Sequence, residues 1–76
     1  MSNLTFTRRA VITRTDLAQS RHYYDRNGDW ELVEVRWLPP YDQHFADYWA
    51  AIKKFGDRQF SRHKTRQAAE AACRLR

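Results

Sequence analysis

The chain has 76 residues, a formal net charge of +5, one cysteine and aromatic side chains at 14% of positions. That length predicts a single domain over residues 1–76, which buries roughly 60–65% of the surface its unfolded form exposes; the resulting thin stability margin favours a homodimer. Cys73 as the lone thiol excludes an intrachain disulfide and fits a reducing compartment. Arg8 and Arg9 follow Met1 to Phe6 where a signal sequence would carry an apolar run, and no apolar stretch is long enough to span a bilayer. The expected location is cytoplasmic, with no membrane partner.

Residues 4–14 place Leu4, Phe6, Val11 and Ile12 among threonine and arginine, a strand-favouring mixture, and predict a first strand broken near Arg8 and Arg9. Thr15 to Gln19 predicts a turn or a single helical turn. Asn27-Gly28 is the dipeptide favoured in a two-residue hairpin turn, because both central residues need positive φ. After it, residues 30–37 put Val33, Val35 and Trp37 on one face and Glu34 and Arg36 on the other. Centring the turn on Asn27-Gly28 pairs Arg21 with Glu34 and His22 with Val33. Residues 16–26 also fit a short helix closed by Asn27-Gly28 at its C-terminus.

Pro39-Pro40 stops the sheet, and Trp37 to Tyr41 reads as a hydrophobic corner. Phe45, Tyr48, Trp49, Ile52 and Phe55 then recur at spacings of three and four, as the apolar stripe of a helix does. Asp42 stands at its N-cap, Lys53 and Lys54 in its last turn and Gly56 just beyond, which predicts a helix over 42–55. Arg58 to His63 predicts an edge strand guarded by arginine. Thr65 caps a last helix over 66–75, with Ala68, Ala69, Ala72, Cys73 and Leu75 facing inward. The expected fold class is α+β in the order β-β-β-α-β-α: a small antiparallel sheet of three to four strands with two helices packed on one face.

Little in the chain resembles catalytic machinery. His22, His44 and His63 fall on three separate elements without zinc-ligand spacing. His44 and Asp47 are a dyad in outline, but no nucleophile accompanies them. Gly28 and Gly56 are the only glycines, so there is no phosphate-cradling loop. Asp16, Asp25, Asp29 and Asp42 would have to converge from distant segments to hold magnesium. No metal and no cofactor are expected, and no enzymatic activity.

The charge is unevenly spread. Residues 1–14 sum to +3, residues 15–52 to −4 and residues 53–76 to +6. Arginines outnumber lysines by 11 to 3, and the arginine fork suits phosphate and carboxylate. The basic C-terminal third is therefore the candidate binding site. Arg58, Arg62, Lys64 and Arg66 lead it, Lys53 and Lys54 extend it, and Arg8 and Arg9 support it if the two ends meet. Alternation puts Arg58 and Arg62 on one face with Phe60, and Thr65 opens a helix whose free N–H groups face an anion.

Residues 63–72, from His63-Lys64-Thr65-Arg66 into the alanine-rich run, resemble the last helix of double-stranded-RNA-binding domains. Trp30 with Phe60-Ser61-Arg62 and the following helix resembles the arm-type DNA-binding domains of phage integrases. Each resemblance covers under a third of the chain, and the helix expected over 42–55 interrupts both. The expected function is a non-enzymatic basic binding module whose partner is nucleic acid. The alternative is a small inhibitor from a phage or mobile element, comparable in size to anti-CRISPR proteins, that docks on an acidic protein surface of a host complex.

Overall fold

The computed structural model describes residues 5–74. Val11–Arg14 (β1), Ala18–Tyr24 (β2), Trp30–Trp37 (β3), Tyr48–Lys53 (β4) and Gln59–His63 (β5) form one sheet in chain order, each neighbouring pair antiparallel. Arg66–Arg74 (α1) packs on one face, against β3, β4 and β5. The expected sheet of three to four strands with two helices is corrected to five strands and one helix. Among the described residues no helix is long and apolar enough to cross a membrane.

The first half of the chain follows its local signals. Phe6 bridges to Asp25, the chain bends at Arg8 and Arg9, and β1 resumes at Val11. Leu4 lies outside the described residues. Thr15 closes the β1–β2 turn: its hydroxyl accepts the N–H groups of Leu17 and Ala18, both at 3.2 Å. Arg21 lies opposite Glu34 and His22 opposite Val33, the register that centring on Asn27-Gly28 requires, and residues 16–26 hold no helix. The turn itself differs from the two-residue form. Gly28 takes φ 77°, whereas Asn27 keeps a negative φ. The Gly28 N–H instead donates to the Asp25 carbonyl at 2.9 Å, and the Asp25 N–H to the Trp30 carbonyl at 3.0 Å. A longer loop over 26–29 thus preserves the register while sparing Asn27 a left-handed backbone.

The expected helix over 42–55 does not form. Tyr41–Gln43 makes a single 3-10 turn and residues 48–53 are β4. The segment is an interior strand with Ala50 buried on one face and Ala51 on the other, so its apolar residues are near-continuous instead of alternating. Tyr48, Ala50 and Ile52 point to one face, and Trp49, Ala51 and Lys53 to the other. Five apolar residues in such a run also satisfy a three-four spacing, and periodicity alone does not separate the two. Tertiary pairing on both sides, to β3 and β5, decides in favour of the strand. Gly56, with φ 75°, turns the β4–β5 hairpin instead of ending a helix. Asp42 caps no helix either, standing inside the single 3-10 turn, and Asp47 Oδ1 accepts the Trp37 N–H at 3.0 Å where β3 ends.

Under α1 lies the main core: Trp30, Leu32 and Ala51 from the sheet, Ala69 and Cys73 from the helix, with Phe6, Tyr23, Trp49 and Ala72 around them. Ala51 and Ala69 are small enough to let the helix lie close on the sheet. Thr65 caps α1 as expected, its hydroxyl accepting the Ala68 N–H at 3.1 Å. Ala68 itself is exposed, which narrows the inward face to Ala69, Ala72 and Cys73; Leu75 lies outside the described residues. The opposite face carries a second cluster, Val33, Val35 and Ala50, flanked by Ala18, Trp37, Tyr48 and Ile52. Trp37 and Phe45 pack with ring centroids 4.8 Å apart, and the Trp37 indole N–H donates to the Ala46 carbonyl, so residues 38–47 fold back against this end of the sheet.

Candidate functional site

Alternation along β4 and β5 places Tyr48, Ile52, Phe60 and Arg62 on the face that no helix covers, with Ile52 directly opposite Phe60. On this face cations lie on aromatic rings. The Arg62 guanidinium sits 4.8 Å from the Tyr48 ring centroid and 5.9 Å from that of Phe60. Lys54 Nζ stands 4.6 Å over the Tyr24 ring. All three distances fall within cation–π range, and the rings fix charged side chains that would otherwise sample many rotamers.

At the hairpin end of β4 and β5 this surface deepens into an open cleft of about 560 Å³. Ile52, Phe55 and Phe60 supply its apolar wall, and Lys53, Lys54 and Arg58 its charge. Phe55 is 63% exposed and Phe60 55%, so both rings present apolar surface to solvent at the cleft. Asp57 is the acid of this hairpin. Among the described residues neither Lys53 nor Arg58 has an ion-pair partner.

Behind the cleft a polar row crosses the same face. Glu31, 7% exposed, accepts a hydrogen bond from His22 Nδ1 at 2.8 Å and faces Lys54 Nζ at 3.6 Å. A carboxylate only accepts, so Nδ1 carries the imidazole proton. Nε2 lies 2.8 Å from the Thr13 hydroxyl and accepts from it when the ring is neutral. Glu31 therefore anchors Lys54 from beneath while Tyr24 holds it from the side.

The expected site residues divide into groups. Lys53, Lys54 and Arg58 share the cleft, and Arg62 stands two residues along from Phe60 on the same strand. Lys64 lies at the other end of β5, in a shallower depression with Arg62, Tyr48 and Asp47. Arg66 turns to the opposite face. Its guanidinium packs 4.7 Å from the Tyr23 ring and 5.8 Å from that of Trp49, and its Nε donates to Glu70 at 3.1 Å. Arg8 and Arg9 precede β1, at the sheet edge opposite β5. Four strand intervals separate those edges, roughly 19 Å at the usual spacing. The two basic ends of the chain therefore do not form one patch.

Phe55, Tyr24 and Tyr48 belong to this surface without having been named as site residues in the sequence, where Tyr48 and Phe55 stood in the stripe of the expected helix. Alternation of Tyr48, Ala50 and Ile52 was the available signal, masked by the helical spacing of the same residues. The remaining titratable groups lie elsewhere. His63 Nε2 is 2.7 Å from the Ser61 hydroxyl on the helix side. Among the described residues no three of His, Cys, Asp and Glu converge as metal ligands do. Burial pushes the Cys73 thiol up to about 11, with the charges of Glu70 and Asp25 adding to the rise. Asp25 is 4% exposed, and among the described residues its Oδ2 has no hydrogen-bond partner. Compared with known protein families, with curated proteins and with solved structures, the chain matches none of them.

Proposed function

We propose that the protein is a non-enzymatic nucleic-acid-binding module that presents the helix-free face of β4 and β5 to phosphate. The observation that carries this is the grouping of Lys54, Arg58 and Arg62 along that face, with Tyr24 holding Lys54 and Tyr48 and Phe60 holding Arg62, while Lys53 reaches the rim of the cleft from the other face of β4. Basic side chains of this kind contact the backbone of a nucleic acid and fix its register. The lone buried thiol fits a cytoplasmic protein. The exposed apolar residues Val11 and Ile12 on edge strand β1 fit a homodimer joined through that edge.

The test is a fluorescence-anisotropy titration with DNA and RNA across a range of salt. Four phosphate contacts give a slope of log affinity against log salt of about −3 to −4. Arg58→Glu with Arg62→Glu flattens that slope and weakens binding while the far-UV circular dichroism is retained. Unchanged binding in the doubly reversed variant sinks the assignment.

The exposure of Phe55 and Phe60 also favours a second function, an inhibitor of phage or mobile-element origin that docks the same cleft on an acidic surface of a host protein complex. A stoichiometric complex recovered from nuclease-treated host lysate, and lost on Phe60→Ala, distinguishes it.

A further inference from the structure

We propose that the ligand is a single strand and that Phe55 and Phe60 receive its unstacked bases. This rests on the nucleic-acid assignment above and deepens it. In a duplex the base faces are covered by their neighbours, and only groove edges and phosphates remain accessible. A phenyl ring offers neither donor nor acceptor to those edges. It does offer a flat apolar surface to a base taken out of the stack, and that contact tolerates any sequence because every base has such a face.

The geometry fits this use. Phe60 and Ile52 face each other across β4 and β5, and Phe55 stands one residue before the hairpin glycine, on the wall of the same cleft. Both rings are more than half exposed, so they contribute little to the core. The cations interleave with the rings instead of forming a separate ridge. Lys54 lies against Tyr24, Arg62 lies between Tyr48 and Phe60, and Lys53 and Arg58 sit in the cleft itself. A strand whose bases enter the cleft therefore brings its phosphates to these charges at the rim. The one buried acid nearby, Glu31, is engaged by His22 and Lys54 and does not face the ligand alone. The occupant is anionic along its length and apolar on its bases, which matches a surface that is cationic at the rim and aromatic within.

The experiment compares labelled oligonucleotides of roughly 15 nucleotides, within the range of one such site, as single strands and as the matching duplexes at equal salt. The single strand binds at least about tenfold more tightly than the duplex. Phe55→Ala and Phe60→Ala each weaken single-strand binding by about tenfold and leave the salt slope intact, whereas Phe60→Trp retains affinity. Arg58→Glu with Arg62→Glu instead lowers the slope. Phe55, in the hairpin, keeps the comparison decisive if Phe60→Ala perturbs β5. Equal or tighter binding of the duplex, or full single-strand affinity in the double alanine variant, overturns base stacking; the charge reversals then still weaken binding and the nucleic-acid assignment stands. Absence of binding to every oligonucleotide overturns both.

Discussion

His22 and Glu31 form a part-buried pair whose removal separates two energetic effects. Glu31 is 7% exposed and its carboxylate is held by His22 Nδ1 at 2.8 Å and Lys54 Nζ at 3.6 Å. His22→Ala leaves that carboxylate in place with one partner, and the partner's side chain is partly solvated. Losing a hydrogen bond to a charged group costs about 1.5–3 kcal/mol; with the Glu31 carboxylate buried the upper part of that range applies, about 2–3 kcal/mol. The whole stability of a domain this size is roughly 4–11 kcal/mol, so the variant folds with little to spare. His22→Leu combined with Glu31→Leu removes both polar groups and fills their space with apolar side chains. Such replacements are neutral or stabilising in comparable sites, so the double variant recovers most of the loss. Urea denaturation measures both. At a slope of roughly 1 kcal/mol per molar urea, His22→Ala lowers the midpoint by about 2–3 M and the double variant brings it back near the parent. A His22→Ala midpoint equal to the parent's, or a double variant as weak as His22→Ala, refutes this account of the pair.

Three further outcomes follow from the helix and its core. The Cys73 thiol is raised from 9.0 to about 11 in the folded chain by burial, then by Glu70 and Asp25. The unfolded chain therefore loses this proton first as pH rises, and stability falls between pH 9 and 11 by up to roughly 2–3 kcal/mol. Thermal melts across that window, compared with Cys73→Ala, isolate the effect, which is absent below pH 9. Thr65→Ala removes the hydroxyl that accepts the Ala68 N–H and costs about 1 kcal/mol, read from the same denaturation curves. Ala69→Leu inserts a branched side chain where α1 lies on Ala51, with both alanines essentially inaccessible. It lowers stability by about 1–3 kcal/mol and loosens α1, seen as faster amide exchange in that helix.

Legibility in the sequence followed the range of the interactions involved. The register of the β2–β3 hairpin was legible because it is set by a local turn and by alternation that leaves Glu34 and Arg36 on one side of β3, although strand and helix stayed open over 16–26 and the turn is longer than the two-residue form. The cap at Thr65 and the arginine-bearing edge strand were legible for the same reason. β4 was not. Its residues are apolar on both faces because β3 and β5 flank it and α1 covers one side, and none of those partners is visible within the segment. Asp42, Lys53, Lys54 and Gly56 each carry a helix-terminal signal. In the fold Lys54 engages Glu31 and Tyr24, and Gly56 makes a hairpin turn. Tertiary pairing outweighs such local preferences, whose individual contributions are a kcal/mol or less.

The same distinction explains why charge in the sequence does not translate into one charged surface. Lys53, Lys54, Arg58 and Arg62 are near one another in the chain and remain so in the fold, since a hairpin joins them. Arg66 is only four residues beyond Arg62, yet the chain has left β5 and entered α1 by then. Its guanidinium meets Tyr23, Trp49 and Glu70 on the helix side, where it extends the core. Arg8 and Arg9 are separated from the cleft by the width of the sheet. Of the eight basic residues that composition nominates, the fold thus gathers four around exposed rings and disperses the others. Arg66→Ala is consequently expected to lower the urea midpoint, by lost packing on Tyr23 and Trp49, while oligonucleotide affinity at the β4–β5 cleft is unchanged. Arg58→Ala is expected to do the reverse, because its side chain lines the cleft and has no ion-pair partner among the described residues. A measurement in which both variants weaken binding equally would mean that the ligand reaches around β5 to the helix side, and that the interface extends beyond the face assigned to it.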